Sequence, residues 1–104
     1  METTTTSIPV LETQTKRKFG PRWRVVGLND DVTPMDYVVM VLIDLFHKEI
    51  ENAYQLMMEV HETGSATFYL GTREACELKL EQVQQCNQRH GESLGVSMES
   101  IEEG

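Results

Sequence analysis

The chain has 104 residues and carries 17 acidic against nine basic side chains, for a formal net charge of −8 at pH 7. A chain of this length predicts one domain, and the acidic balance excludes nucleic-acid binding and disfavours anionic membrane surfaces, both of which need basic residues. No apolar run approaches the roughly 20 residues that span a bilayer, and the N-terminus lacks an apolar signal core, so we expect a cytoplasmic protein with cationic partners.

The first part of the chain divides into an extension and the start of a folded domain. Residues 1–21 are rich in threonine and poor in large apolar side chains, which predicts a flexible N-terminal extension. We expect residues 22–104 to form the domain. Its first element is a strand at residues 23–28, where β-forming side chains are frequent. A helix is predicted at residues 34–47, because apolar residues recur there at helical spacing.

The remaining elements follow from the same patterns. A second helix is predicted at residues 49–62, ended by Gly64 as a left-handed cap. Its buried stripe is expected to contain Ile50, Ala53, Tyr54, Met57 and Met58. Alternating residues predict a strand near 66–70, a helical pattern covers 73–90, and a third strand follows near 94–98. The order strand, helix, helix, strand, helix, strand predicts an α+β domain with helices layered on a three-stranded sheet.

The turn after the first strand, Asn-Asp-Asp-Val-Thr-Pro-Met, is the most informative segment. Thr33 is expected to cap the first helix, with Pro34 at its first position. Asp30 and Asp31 place two carboxylates on this turn, and Met35 adds an apolar side chain. An acidic notch beside an apolar one suits an ammonium group that carries a hydrophobic side chain.

His61 is the second candidate functional residue. It continues the stripe of the second helix, so it is expected to lean toward the packed side. If that helix packs beside the start of the first, His61 faces Asn29 and Asp30 across a cleft. An α-ammonium donates three hydrogen bonds, and these three side chains would supply three acceptors. Two alternatives are an aspartate that orients His61 for general-base chemistry and a metal site of Asp30, Asp31 and His61.

The same turn, with Val60, His61 and Gly64 at their spacing, resembles the ClpS family over about residues 23–98. ClpS proteins are bacterial adaptors that deliver substrates to a Clp unfoldase–protease. The resemblance implies a three-stranded antiparallel sheet packed on three helices in the order β-α-α-β-α-β. It also implies an adaptor of the N-end rule pathway, not an enzyme, that needs no metal or other cofactor. Its cargo would be proteins with N-terminal Leu, Phe, Tyr or Trp.

The resemblance also implies roles for individual residues. The cargo's α-amino group would be bound by Asn29, Asp30 and His61. The first side chain would enter a hydrophobic pocket formed by Leu28, Thr33, Met35, Val38, Met57, Val60 and Leu94. Met35 would exclude β-branched side chains. Glu74 and Lys79 match residues that dock onto the N-terminal domain of a ClpA- or ClpC-like AAA+ unfoldase.

The alternative within this resemblance is a ClpS-like interaction module with altered cargo or partner. Several positions depart from the common family pattern, among them Ser93, Cys76 and residues 68–71. The layout also looks like the C-terminal domain of a ribosomal stalk protein, which lacks the Asn-Asp-Asp turn. For the adaptor, binding is expected to weaken below about pH 6, where His61 gains a proton, and above about pH 8–9, where the α-amino group loses one.

Overall fold

The computed structural model describes residues 22–101, so the predicted N-terminal extension at 1–21 lies outside the described residues, as do residues 102–104. Six elements follow one another in the predicted order: β1 (Arg22–Leu28), α1 (Met35–Asp44), α2 (Ile50–Thr63), β2 (Ser65–Gly71), α3 (Arg73–His90) and β3 (Gly95–Ile101). The predicted α+β class and the antiparallel three-stranded sheet are confirmed.

Strand β1 lies in the centre of the sheet and pairs with both neighbours. Leu28, its last residue, stands opposite Ser65 at the start of β2 and opposite Gly95 at the start of β3. The end of β1 therefore meets the chain segments that lead into both other strands. All three strands have one terminus at this end of the sheet, and the candidate site lies at the same end.

The core lies between the helices and one face of the sheet. Its largest fully buried side chains are Phe68, Leu42, Val25, Val41, Val83 and Cys76. Gly27 is needed in β1 because a Cβ atom there would overlap the Phe68 ring, which crosses it. Among the helices at residues 35–90, none is long and apolar enough to cross a membrane.

Helix α2 corrects one expectation from the sequence. Its buried face consists of Ala53, Met57 and Val60, whereas Ile50, Tyr54 and Met58 are 60%, 50% and 39% exposed. The predicted stripe was therefore wrong for these three positions. Among the described elements the helix packs mainly on α1 and β2, so its inner face is narrow, and the exposed stripe lies about a quarter turn away from it.

The start of α1 is a second correction. The helix begins at Met35, and Pro34 is the capping residue, with extended backbone angles (φ −66°, ψ 146°) and no side-chain cap. Thr33 does not cap the helix, because the helix begins one residue later than expected and Thr33 lies before the capping position. Its hydroxyl instead donates to the Asp30 carboxylate at 2.8 Å.

Candidate functional site

A backbone hydrogen bond joins the turn after β1 to the end of α2. The Asn29 amide donates to the Gly64 carbonyl at 3.0 Å, and Gly64 has the left-handed φ of 99° that ends the helix. His61 lies in the last turn of α2, one turn before this contact. The bond therefore brings His61 to the side of the Asn-Asp turn. His61 is exposed, so the expectation that it leans toward the packed side was wrong.

The turn itself is organised by the Asp30 carboxylate. Oδ1 accepts the Val32 amide at 2.8 Å and the Thr33 amide at 2.6 Å, and Oδ2 accepts the Thr33 hydroxyl at 2.8 Å. These bonds favour the charged carboxylate and lower the pKa of Asp30, with the Thr33 amide as the largest cause. A carboxylate has about four acceptor positions, so one position on Oδ2 is left for a further donor.

The turn and the two helices enclose one pocket of about 380 Å³. All ten residues that the sequence analysis assigned to cargo binding line it: Leu28, Asn29, Asp30, Thr33, Met35, Val38, Met57, Val60, His61 and Leu94. We call the pocket residues of the turn, together with His61, the rim. Four buried apolar side chains form the floor: Val38, Met57, Val60 and Leu94.

The rim contains three further residues, of which only Asp31 was expected there, as part of the acidic notch. Asp31, Val32 and Pro34 also line the pocket. Asp31 is exposed, and it places a second carboxylate beside that of Asp30. Val32 is 75% exposed, which is unusual for a side chain of this kind. The sequence offered one indication of this placement: the three residues lie within the seven-residue turn, and the residues of a tight turn lie close together in space.

The lining determines what the pocket can do chemically. The rim offers carboxylate, amide and imidazole acceptors, and the floor is apolar, so the arrangement suits a cation attached to an apolar group. No Ser or Cys of the described residues lines it. Within residues 22–101, no group of three or more His, Cys, Asp or Glu side chains is arranged to hold a metal ion. The alternative metal site of Asp30, Asp31 and His61 is therefore not formed.

The two residues predicted to dock an unfoldase lie on α3, outside the pocket. Glu74 is exposed in the first turn of the helix. The Lys79 ammonium donates to the Leu45 carbonyl at 2.6 Å, just beyond the end of α1. It also lies 5.6 Å and 5.5 Å from the ring centroids of Phe46 and Tyr69. Among residues 22–101, Lys79 has such internal contacts and Glu74 has none.

Comparisons with known proteins agree on one family. Residues 18–97 match the family model described as ATP-dependent Clp protease adaptor protein ClpS. A Deinococcus radiodurans protein described as ATP-dependent Clp protease adapter protein ClpS is 45% identical over 93 residues, which cover 88% of this chain and 80% of the relative. A Leptothrix cholodnii protein of the same description is 41% identical over 91 residues, covering 86% and 79%.

A solved structure resembles this fold as well. It is that of Agrobacterium tumefaciens ClpS2 bound to L-phenylalaninamide, with a TM-score of 0.74 and 28% identity. The match covers 78% of this chain and 98% of that one. L-Phenylalaninamide is an α-ammonium group joined to an aromatic side chain and an uncharged amide.

Proposed function

Because the chain belongs to the ClpS family, whose members are adaptors of the ATP-dependent Clp protease and not enzymes, we propose that it selects cargo by the N-terminal residue. Proteins that begin with Leu, Phe, Tyr or Trp bind its pocket and are delivered to a Clp AAA+ unfoldase for degradation in the cytoplasm. This is the N-end rule pathway. The observation that carries the proposal is the junction of an acidic rim and an apolar floor in one pocket.

The α-amino group of the cargo binds at the rim. Asn29, Asp30 and His61 supply acceptors from two different elements, the turn and helix α2. The Asp30 carboxylate has one free acceptor position, because its own turn uses the others. Asp31 adds a second negative charge next to it and strengthens the attraction of the ammonium. A charge-assisted hydrogen bond of this kind contributes about 1.5–3 kcal/mol.

The first side chain of the cargo occupies the apolar floor. Burial of a Leu or Phe side chain contributes about 1.5–3 kcal/mol. Met35, 43% exposed at the first residue of α1, narrows the mouth and rejects a branch at Cβ. The relative from Agrobacterium tumefaciens was solved with L-phenylalaninamide, and this supports an aromatic first residue for the present chain.

Delivery uses the start of α3. Glu74 contacts the N-terminal domain of a ClpA- or ClpC-like unfoldase, and it is exposed on the described surface. Lys79, which is partly exposed, assists at the edge of this contact while its ammonium donates to the Leu45 carbonyl. The N-terminal extension predicted from the sequence precedes β1 and is proposed to reach toward the unfoldase.

Fluorescence anisotropy with labelled peptides that differ only at residue one tests this proposal. The set begins with Leu, Phe, Tyr, Trp, Ile or Met, and includes an acetylated Leu peptide as the matched control. We expect dissociation constants of about 1 to 40 μM for Leu and the aromatic residues, since rim and floor together give roughly 6–8 kcal/mol after ordering costs. Acetylation of the N-terminal Leu should abolish binding, and Ile as the first residue should weaken it.

Two results would redirect the proposal. If no free N-terminus binds, the N-degron function is wrong, and the chain is a ClpS-like module with altered cargo. If acetylated and free peptides bind equally, the rim does not recognise the ammonium.

A further inference from the structure

A hydrogen-bonded bridge reaches the pocket floor from behind. The Asn87 side chain on α3 donates from Nδ2 to the Leu94 carbonyl at 3.0 Å. Its Oδ1 accepts the Tyr37 hydroxyl at 2.8 Å. Tyr37 belongs to α1 and is followed directly by Val38, another residue of the floor. The bridge therefore connects two sides of the pocket, the wall on α1 and the segment before β3.

The surroundings of Leu94 explain why this bridge matters. Leu94 lines the pocket on one side and a second groove of about 490 Å³ on the other. The groove lies between α3 and β3, and Asn87 is part of its lining. Leu94 itself is only 3% exposed and packs in the hydrophobic core. On the side of the groove, the Asn87 hydrogen bond is a polar contact that holds its backbone carbonyl.

The other half of the bridge is buried. Tyr37 is enclosed by the core and packs edge-on against the His90 ring at 5.8 Å between centroids. Burial is the main cause that raises the pKa of Tyr37 above its ordinary value, so the hydroxyl keeps its proton and continues to donate. Asn87 is thereby held in the orientation that aims Nδ2 at Leu94.

We propose that Asn87 is a positioning residue that sets the depth of the pocket, and so determines which size of N-terminal side chain fits best. The inference rests on the proposed function of the same pocket. With the bridge in place, Leu94 closes the floor at a fixed depth that limits how far a large side chain such as Trp enters. Without it, the Leu94 carbonyl turns to water in the rear groove, the floor recedes, and a larger side chain such as Trp gains contacts.

Two variants separate the two hydrogen bonds. Asn87→Asp keeps an oxygen for Tyr37 but replaces the donor to Leu94 with a second oxygen. Tyr37→Phe removes only the hydroxyl. The matched control is Gln88→Ala, which changes an exposed residue of the same helix that borders the same groove. Thermal unfolding of each variant is measured alongside binding, so that loss of the fold is recognised.

The readout is the ratio of dissociation constants for Trp-initiated and Leu-initiated peptides. We expect Asn87→Asp to shift it toward Trp by about three- to tenfold, the worth of one hydrogen bond. Tyr37→Phe shifts it in the same direction by less, and Gln88→Ala leaves it unchanged. A general structural effect would weaken both peptides equally, since it lowers the folded fraction without changing the pocket shape.

The outcomes distinguish this inference from the proposed function. If the unmodified protein binds these peptides and Asn87→Asp leaves their ratio unchanged, the positioning role is wrong while N-terminal recognition stands. If the unmodified protein binds neither peptide, both are overturned. Should Asn87→Asp fail to fold, Tyr37→Phe decides the question, with an unchanged ratio counting against the role.

Discussion

Two surfaces of this molecule carry predicted contacts with other proteins, and their charged groups are engaged differently. At the pocket rim, Asp30 bonds within its own turn, and Asp31 and His61 remain exposed beside it. At the start of α3, the Lys79 ammonium bonds to Leu45, 34 residues away along the chain. The rim is organised locally and leaves acceptors free, whereas the α3 surface uses its cation to hold the fold together.

A charged residue that the family resemblance assigns to a binding surface can therefore be bonded within its own fold instead. Lys79 bonds to one of the last carbonyls of α1, where a cation also meets the negative end of the helix dipole. Its removal therefore affects the fold before it affects any partner. Asp30 also bonds within the fold, to its own turn. The free acceptor position on its Oδ2 and the neighbouring Asp31 nevertheless allow the rim to bind an ammonium group.

Substitution of Asp30 should have the largest effect on cargo binding. Asp30→Ala removes the acceptor of the Val32 and Thr33 amides together with a rim charge, so we expect a loss of about 100-fold or more in affinity for a Leu-initiated peptide. Asp31→Ala removes only the charge and should weaken binding by about tenfold. Anisotropy titrations of both variants give the comparison. Equal losses would mean that the turn does not depend on Asp30.

Met35 gives the next largest effect, and it changes selectivity more than affinity. Met35→Ala opens the mouth of the pocket, so peptides that begin with Ile or Val should gain about tenfold relative to Leu. Met58→Ala is the matched control, because Met58 is exposed to a similar degree on α2 and does not line the pocket. A gain with Met58→Ala as well would show that the rejection of branched side chains arises elsewhere.

How far the sequence predicted these features follows from the range of the interactions involved. The pocket residues were predicted from the resemblance to the ClpS family, which the turn carries together with Val60, His61 and Gly64. Helical periodicity alone assigned Val38 and Met57 to a buried face, with no indication of a pocket. The capping role of Thr33 was mistaken, because the helix begins one residue later than expected, and helix ends are the least predictable part of an element. The bond from Lys79 to Leu45 could not be predicted, because it depends on how α3 packs against the end of α1.

The buried face of α2 shows a different limit. Helical periodicity predicted an apolar stripe, and α2 has two of them a quarter turn apart. Only one contacts α1 and β2. Helical periodicity indicates that apolar residues share a face of the helix, but the neighbouring elements determine which face is buried. Ile50, Tyr54 and Met58 were assigned to the core for this reason and are exposed instead.

The α3 surface yields a smaller effect that separates stability from binding. Lys79→Met removes the hydrogen bond to Leu45 and the contacts with two aromatic rings, so we expect a loss of about 1–2 kcal/mol in the free energy of unfolding. Cargo affinity stays unchanged. Glu74→Gln, on the same helix, leaves stability unchanged and weakens only binding to the unfoldase. Denaturant unfolding and a pull-down with the unfoldase N-terminal domain measure the two effects. An unchanged stability in Lys79→Met would make the bond to Leu45 negligible.

The smallest expected effect is the acid dependence of the rim. Because the folded-state pKa of Asp30 is lowered, its hydrogen bonds contribute stability above the unfolded pKa of about 4, and this contribution is lost as the pH falls through the lower folded value. Denaturant unfolding of the unmodified protein and of Asp30→Asn should therefore give a constant difference from pH 7 to about pH 5, which narrows below pH 4. Asp31→Asn is the control, since Asp31 takes no part in the bonds of the turn. A difference that grows in acid would contradict the charge state assigned to Asp30, and with it the view that the rim is organised by a charged carboxylate.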